Sequence, residues 1–293
     1  MTPEGTIIEE RLAAVLPLDA GSGSLTQILF RRDIERNPPP DADAFSRMFD
    51  QANVSFFSQN GEDGILQFLL AQVKDLTYRS VEIGAGDGIE NNTTNLLVHH
   101  GYRGLLVDPS WALEYIGTEF FRRVHTTQEH PPVLRREFAE VDNVNDLVSS
   151  AGFAGDIDVL SIDVDGNDFW IFEALTVVNP TVVVLELNLQ LGPEAAVAMP
   201  YNPGYSYWDE GKTGYIGASV RGFDALARRR GLVFVGCDRK RVNGFWVRRG
   251  AISAVPDGVP LDRIWTWDRV ESELLHQQHL LEDFSWTQIP DPH

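Results

Sequence analysis

Three glycines at alternate positions, directly after an apolar stretch, are the clearest sign of chemistry in this chain. The run reads Ser80-Val81-Glu82-Ile83-Gly84-Ala85-Gly86-Asp87-Gly88. Glycine tolerates positive φ and lets the backbone approach a ligand closely. A helical pattern over residues 91–100 follows, so the turn lies between a strand and a helix, where doubly wound α/β proteins bind nucleotide-like cofactors. The sequence therefore predicts a cofactor site at this turn.

The spacing of these glycines distinguishes two kinds of cofactor. A dinucleotide-binding turn reads Gly-x-Gly-x-x-Gly and holds a pyrophosphate at the start of its helix. Here Gly84, Gly86 and Gly88 stand two apart, and Glu82 precedes them. The arrangement resembles motif I of the S-adenosylmethionine-dependent methyltransferases, which implies that these four residues hold the amino-acid part of S-adenosylmethionine. A βα turn without a ligand is the alternative.

Two further segments are predicted to contact the cofactor. Asp108 ends the second predicted strand, where a carboxylate can accept hydrogen bonds from both ribose hydroxyls. Such a residue serves S-adenosylmethionine and NAD equally, and its alternative role is to cap the next helix. Gln59, in the segment 58–64, is predicted to cover the cofactor from the N-terminal side. The alternative for that segment is a helix start capped by Asn60 or Asp63.

Acidic side chains follow the fourth and fifth predicted strands. The first group reads Asp163-Val164-Asp165-Gly166-Asn167-Asp168, and the second reads Glu186-Leu187-Asn188. The carboxyl ends of neighbouring parallel strands share one edge of a sheet, so the two groups are expected to converge beside the cofactor.

Three roles stay open for these acidic groups. In the first, Asp163, Glu186 and Asn188 supply oxygen ligands to Mg²⁺, which lowers the pKa of a bound substrate hydroxyl. In the second, one of the carboxylates of Asp163, Asp165 and Glu186 is a general base without a metal. In the third, Asp165 and Asp168 cap the next helix.

The elements that must position these residues alternate along the chain. Helices are expected near residues 91–100, 111–122, 143–150, 168–177 and 218–230. Because only residues 238–244 connect the last two strands, those strands must be antiparallel. The sequence predicts an α/β fold: a doubly wound, seven-stranded, mostly parallel sheet with a C-terminal antiparallel hairpin. The predicted strands are Val81–Gly84, Gly104–Asp108, Val133–Phe138, Val159–Asp163, Val182–Leu187, Leu232–Gly236 and Phe245–Arg248.

Taken in order, the motifs resemble one family. The segments 58–64, 82–88, 161–168 and 186–188 are together similar to the FkbM-type methyltransferases, over about residues 55–250. The resemblance implies the class I methyltransferase fold and O-methylation of a hydroxylated small molecule, most often a sugar or a natural product. Its metal plan is similar to that of the catechol-type O-methyltransferases, but Gly166 stands where those enzymes have a lysine. An NAD(P)-dependent oxidoreductase and a non-catalytic module with this fold are the alternatives.

The composition of the chain argues against some classes of binding partner. The chain has 293 residues and a formal charge of −19, from 24 Lys and Arg against 43 Asp and Glu. This charge argues against nucleic acid or an anionic membrane as a partner. Cys237 is the only cysteine, so no intramolecular disulfide can form. With no basic-then-apolar leader and no apolar stretch long enough to cross a bilayer, we expect a cytoplasmic protein.

Two segments outside the motifs are expected to matter. Residues 200–217 follow the fifth strand and are rich in tyrosine and glycine, a composition typical of both acceptor-binding loops and packed surface loops. We expect three parts: an N-terminal extension over 1–50 with a helix near 7–15, a Rossmann-like domain over 51–250, and a tail over 251–293 with a helix near 269–281. The tail either packs on the core or contacts a partner subunit in a homo-oligomer.

Overall fold

A computed structural model describes residues 9, 22–205, 207, 214–265, 280–282 and 284–290 of the chain. Eight α-helices lie within these residues: α1 (Ser22–Arg36), α2 (Ala42–Gln51), α3 (Glu62–Leu70), α4 (Thr94–His99), α5 (Thr118–Arg123), α6 (Val144–Ser150), α7 (Asp168–Ala174) and α8 (Val220–Arg229). The strands are β1 (Arg79–Ile83), β2 (Arg103–Val107), β3 (Val133–Arg135), β4 (Gly155–Ile162), β5 (Val178–Glu186), β6 (Val197–Ala198), β7 (Leu232–Cys237), β8 (Asn243–Arg248) and β9 (Thr287–Gln288).

The main sheet has seven strands in the order β3-β2-β1-β4-β5-β8-β7. β8 is antiparallel to both of its neighbours, and the other paired strands are parallel. All seven predicted strands are present, and the predicted fold class is confirmed. The centre of β5, Val182 to Leu185, is almost entirely buried, as expected for a strand that is covered by helices on both faces.

The helices before β1 close one face of this core. Phe45 and Phe49 of α2 pack against Phe68 of α3, with ring centroids 5.2 and 6.2 Å apart, and Phe49 contacts Phe245 of β8 at 5.8 Å. Part of the predicted N-terminal extension therefore contributes aromatic side chains to the core. The division of the chain at residues 50 and 250 stays a prediction.

The tail folds back onto the domain through a second, small sheet. β9 pairs antiparallel with β6, joining Val197 to Gln288 and Ala198 to Thr287. The sequence did not predict this pair, because two-residue strands show no periodicity. The tail helix predicted over 269–281 and the N-terminal helix predicted over 7–15 lie mostly outside the described residues. Among the described helices, none has both the length and the apolar character needed to span a bilayer.

Candidate functional site

The register of the sheet brings the predicted residues to one edge. Ile83, the last residue of β1, pairs with Val107 on one side and with Ile162 on the other, and Ile162 pairs with Leu185. Four parallel strands therefore end level with one another. The residues just beyond these pairs, Gly84, Asp108, Asp163 and Glu186, lie side by side at the carboxyl edge.

At Gly84 the turn passes directly over the end of β4. Gly84 has φ +88°, and a Cβ built there would lie 1.5 Å from the carbonyl oxygen of Asp163. Its N–H donates to the carbonyl oxygen of Val107, 2.8 Å away. Only glycine fits between these neighbours, so Gly84 sets the spacing between the turn and the acidic loop after β4.

Asp108 lies where the sequence placed it, on a cavity of about 510 Å³ at this edge. One carboxylate oxygen accepts the N–H of Gly86 and the other accepts the N–H of Ser110, each at 2.8 Å. Each oxygen keeps a second lone pair for a ligand hydroxyl. Burial raises the pKa of Asp108 above its ordinary value. The cavity is also lined by Gly84, Asp163 and Asp165.

The carboxylate of Glu82 is hydrogen-bonded within the protein, and its contact with a cofactor stays a prediction. Glu82 is 2% exposed and accepts hydrogen bonds from the N–H groups of Asn92 and Thr93 and from the Thr93 hydroxyl. Burial raises its pKa to about 7, although these hydrogen bonds oppose the shift. Glu82 anchors the segment that leads into α4, and it is not among the residues that line the cavity.

The other predicted cofactor residues lie around the turn rather than on the cavity wall. Gly86 has φ +57° with open space at its Cβ position, whereas a Cβ on Gly88 would meet Leu113 at 2.9 Å. The side-chain amide of Gln59 donates to Glu90 at 2.8 Å, and this bond ties the segment 58–64 to the loop after the glycine turn. The direct contact of these three residues with a cofactor stays a prediction.

Three carboxylates converge beside the turn. One oxygen each from Asp163, Asp165 and Glu186 lies within 4.8 Å of the other two, and all three residues are partly buried. Burial raises the pKa of Asp163 and of Glu186 well above the ordinary range, and the neighbouring carboxylates add to the effect. Burial also raises the pKa of Asp165. Three clustered oxygen ligands of this kind suit Mg²⁺, which prefers hard carboxylate donors.

The predicted metal ligand Asn188 also holds the loop after β5. The amide nitrogen of Asn188 donates to the carbonyl oxygens of Gly214 and Ile216, each at 2.9 Å. Its amide oxygen accepts the N–H of Gln190 at 3.2 Å, and its place among the metal ligands stays a prediction. Asp165 is the third carboxylate of the cluster. Its backbone has φ +55°, so the chain turns sharply and brings its carboxylate near Asp163.

Asp168 does not cap the helix in the way that was left open, because α7 begins at Asp168 without a side-chain cap and its carboxylate bonds to the preceding loop. Its carboxylate accepts the N–H groups of Val164 and Gly166, each at 2.8 Å, and thereby shapes the loop that carries Asp165. Burial raises the pKa of Asp168 to about 6, and these hydrogen bonds oppose the shift. The acidic residues after β4 thus have two roles: Asp163 and Asp165 belong to the carboxylate cluster, and Asp168 holds the loop that carries Asp165.

Two features that the sequence did not single out lie on or behind the site. Residues 137–140, directly after β3, line the cavity beside Asp108. The sequence could have indicated them as site residues, because β3 is parallel to β2 and ends at the same edge of the sheet. The second is Glu62 of α3, which is 1% exposed and accepts a hydrogen bond from Asn243 at 2.8 Å. Asn243 pairs with Glu186 across β5 and β8, a link that only the sheet order reveals.

The loop after β5 closes the other side of the cavity. Tyr205 and Tyr207 line it, and the Tyr205 ring packs so tightly on Gly166 that a Cβ there would lie 2.5 Å from ring atoms. Asn167 bonds to the backbone of Asn202, at 2.8 Å through its nitrogen. Of the predicted aromatic loop, residues 206 and 208–213 lie outside the described residues.

Several solved structures of methyltransferases share a limited similarity with this chain. An O-methyltransferase family protein from Burkholderia thailandensis is 12% identical, with a TM-score of 0.38, over 64% of this chain and 59% of that one. The O-methyltransferase TomG from Streptomyces achromogenes, in complex with SAM, is 14% identical over 70% and 86% of the two chains, with a TM-score of 0.39. An O-methyltransferase from Bacillus cereus, in complex with SAH, is 15% identical over 73% and 94%, with a TM-score of 0.40.

These likenesses are distant. The match spans 59%, 60% and 58% of the length of the first three similar structures. No protein-family profile matches the chain, and no curated protein matches it in sequence. The strand order and the antiparallel β8 establish the doubly wound, seven-stranded, mostly parallel α/β sheet.

Proposed function

We propose that this protein is an S-adenosylmethionine-dependent O-methyltransferase that acts on a hydroxyl group of a small molecule. One observation carries the proposal: the level ends of β1, β2, β4 and β5 put the glycine turn and Asp108 beside three clustered carboxylates. The turn and Asp108 suit a ribose-bearing cofactor, and the carboxylates suit an acceptor that must lose a proton. An FkbM-type enzyme that acts on a sugar or natural product is the finer form of this proposal.

Methyl transfer requires that the two reactants are aligned and that a base accepts the proton of the acceptor hydroxyl. The acceptor oxygen forms a bond to the methyl carbon while the carbon–sulfur bond breaks, and the cofactor leaves as a neutral thioether. Without a metal, the hydroxyl proton passes to one of the carboxylates of Asp163, Asp165 and Glu186, whose raised pKa values make them stronger bases than exposed carboxylates. With a metal bound to these carboxylates, the proton would instead leave to water. Holding both reactants in line supplies much of the acceleration.

The same three residues would hold a Mg²⁺ ion. Their oxygen donors fit the ion, and a buried cluster of three carboxylates without a cation is costly, because like charges repel in a medium of low dielectric. When bound, the ion would lower the pKa of the acceptor hydroxyl. Asp163 and Glu186 thus keep their predicted roles in this proposal, with Asp165 in the place of Asn188.

Calorimetric titration with S-adenosylhomocysteine, NAD and NADP tests the cofactor. We expect S-adenosylhomocysteine to bind and neither dinucleotide to bind. Asp108→Asn should weaken binding by at least about tenfold, since the carboxylate accepts charge-assisted hydrogen bonds. The matched control is Asp156→Asn, at the exposed start of β4, which should bind like the wild type. Binding of a dinucleotide without S-adenosylhomocysteine would overturn the proposal.

A further inference from the structure

A second cavity shares Tyr207 with the cavity beside Asp108, which we call the cofactor cavity. It has a volume of about 290 Å³ and is lined by Glu186, Gln190, Tyr207, Lys240 and Arg241, among others. Glu186 belongs to the carboxylate cluster whose other members, Asp163 and Asp165, line the first cavity. The cluster therefore borders both cavities, and an acceptor in the second cavity would reach the carboxylates at Glu186.

Two basic residues, Lys240 and Arg241, line this second cavity, and hydrogen bonds fix the backbone around Lys240. The carboxylate of Asp238 accepts the N–H groups of Lys240 and Val242, at 2.7 and 2.9 Å, so the turn between β7 and β8 wraps around it. The carbonyl oxygen of Val242 accepts the N–H of Leu187 at 2.7 Å, which attaches the turn to the end of β5. Lys240 is thus presented on the cavity that Glu186 borders.

The charge of this cavity differs from that of the rest of the molecule. The chain carries a formal charge of −19, and the cofactor cavity is lined by Asp108, Asp163 and Asp165. Lys240 is exposed to solvent on the second cavity, and Arg241 is nearly buried there with φ +61°. A basic wall within a strongly acidic protein attracts an anion and repels a cationic ligand.

We propose that the second cavity binds an anionic group of the methyl acceptor, so that the acceptor is a hydroxylated compound that also carries a carboxylate or a phosphate. The anion would lie against Lys240 and Arg241, and the hydroxyl would point to the carboxylates at Glu186. The cavity volume is at the lower end of the range for small-molecule sites, about 300 to 1,000 Å³, which suits one sugar-sized ring. This inference rests on the proposed function.

Binding of three probe sugars tests it. Glucose, glucuronate and glucose 6-phosphate have the same ring but carry no anion, a carboxylate and a phosphate. Each is titrated into the full chain saturated with S-adenosylhomocysteine and Mg²⁺. We expect at least one anionic probe to bind about tenfold or more tighter than glucose, as a hydrogen-bonded charge pair would give. The preferred probe shows whether the anion is a carboxylate or a phosphate.

Variants assign the preference to Lys240. Lys240→Gln should bring the three probes to within about twofold of one another, and Lys240→Arg should keep the preference, because it keeps the charge. The matched control is Lys74→Gln, an exposed lysine before β1 at the opposite edge of the sheet, which should behave like the wild type. Equal binding of glucose and the anionic probes, no binding of any probe at millimolar concentration, or an unchanged preference in Lys240→Gln would overturn the inference.

Titration of each variant with S-adenosylhomocysteine separates the two proposals. If the cofactor product binds and the anion preference is missing, only the anionic acceptor fails. If S-adenosylhomocysteine does not bind the wild type, the proposed function itself fails.

Discussion

The two halves of the proposed site, a cofactor half and an acceptor half, are built by different means. On the cofactor side, backbone groups at the ends of parallel strands place Gly84 and Asp108, and the sheet register sets their positions. On the acceptor side, side chains tie an irregular loop to three distant segments through Asn167, Asn188 and Tyr215. The comparison teaches that the cofactor half should tolerate few changes, whereas the acceptor half can vary without loss of the fold.

A pair of glycine variants tests this contrast with the largest expected effect. In Gly84→Ala the new methyl group would lie 1.5 Å from the Asp163 carbonyl oxygen, and we expect a loss of more than about 3 kcal/mol in the free energy of unfolding. S-Adenosylhomocysteine binding should fall below detection.

Gly204→Ala, in the acceptor half, is the matched control. Gly204 also has positive φ, +66°, but nothing lies within 4 Å of its Cβ position. We expect a cost of about 1 kcal/mol from the backbone conformation alone. Urea unfolding measures both variants, and equal effects would contradict the contrast between the halves.

Removing a carboxylate tests the proposed set of metal ligands, Asp163, Asp165 and Glu186. Asp163→Asn should weaken binding of Mn²⁺, a Mg²⁺ substitute, by at least about 100-fold in calorimetry, since direct ligands matter more than their supports. Without metal, the same variant should melt at a higher temperature than the wild type, because one of three clustered negative charges is gone. Asn188→Ala should leave Mn²⁺ affinity within about threefold, since its amide holds the loop. A larger loss would restore Asn188 as a ligand.

The buried carboxyl of Glu82 predicts how stability depends on pH. Its pKa in the folded protein is about 7, above the ordinary value of 4.5, so the folded state binds more protons than the unfolded state between these values. The stability that protonated Glu82 contributes is full below about pH 4.5 and is lost as pH rises through about 7, so stability should fall by on the order of 2 kcal/mol between pH 5 and pH 8. In Glu82→Gln this decline should be smaller. Urea midpoints at several pH values measure it, and a parallel decline in both proteins would refute the assignment.

The smallest expected effect concerns the tail. The ring of Tyr215 stacks on Phe284 at 4.5 Å and meets Trp286 edge-on at 4.8 Å, so residues 284–290 support the acceptor loop. Phe284→Ala should cost about 1 kcal/mol and speed hydrogen exchange in residues 197–205 and 214–219. S-Adenosylhomocysteine affinity should not change. A weaker affinity would show that the two halves are coupled.

The sequence predicted the fold well because its pattern is local. Apolar runs such as Val182–Leu185 indicate buried strands by themselves, and the short connection after β7 forces an antiparallel neighbour. The convergence of Asp163 and Glu186 followed from the same logic, because parallel strands end at a common edge. The sequence could not show that Glu82 would bond to residues 92 and 93, since that depends on the path of the chain after the turn.

The sequence by itself thus determined the seven strands, their directions and the edge of the sheet at which the candidate site residues lie. Only the tertiary structure decided how the side chains at that edge are used: Asp168 holds the loop that carries Asp165 into the cluster, and the Asn188 amide donates to residues 214 and 216. Only the sheet order placed Lys240 beside Glu186, through the pairing of β8 with β5. Strands are specified by neighbouring residues, whereas the direction of a side chain in a loop depends on hydrogen bonds from residues far along the chain.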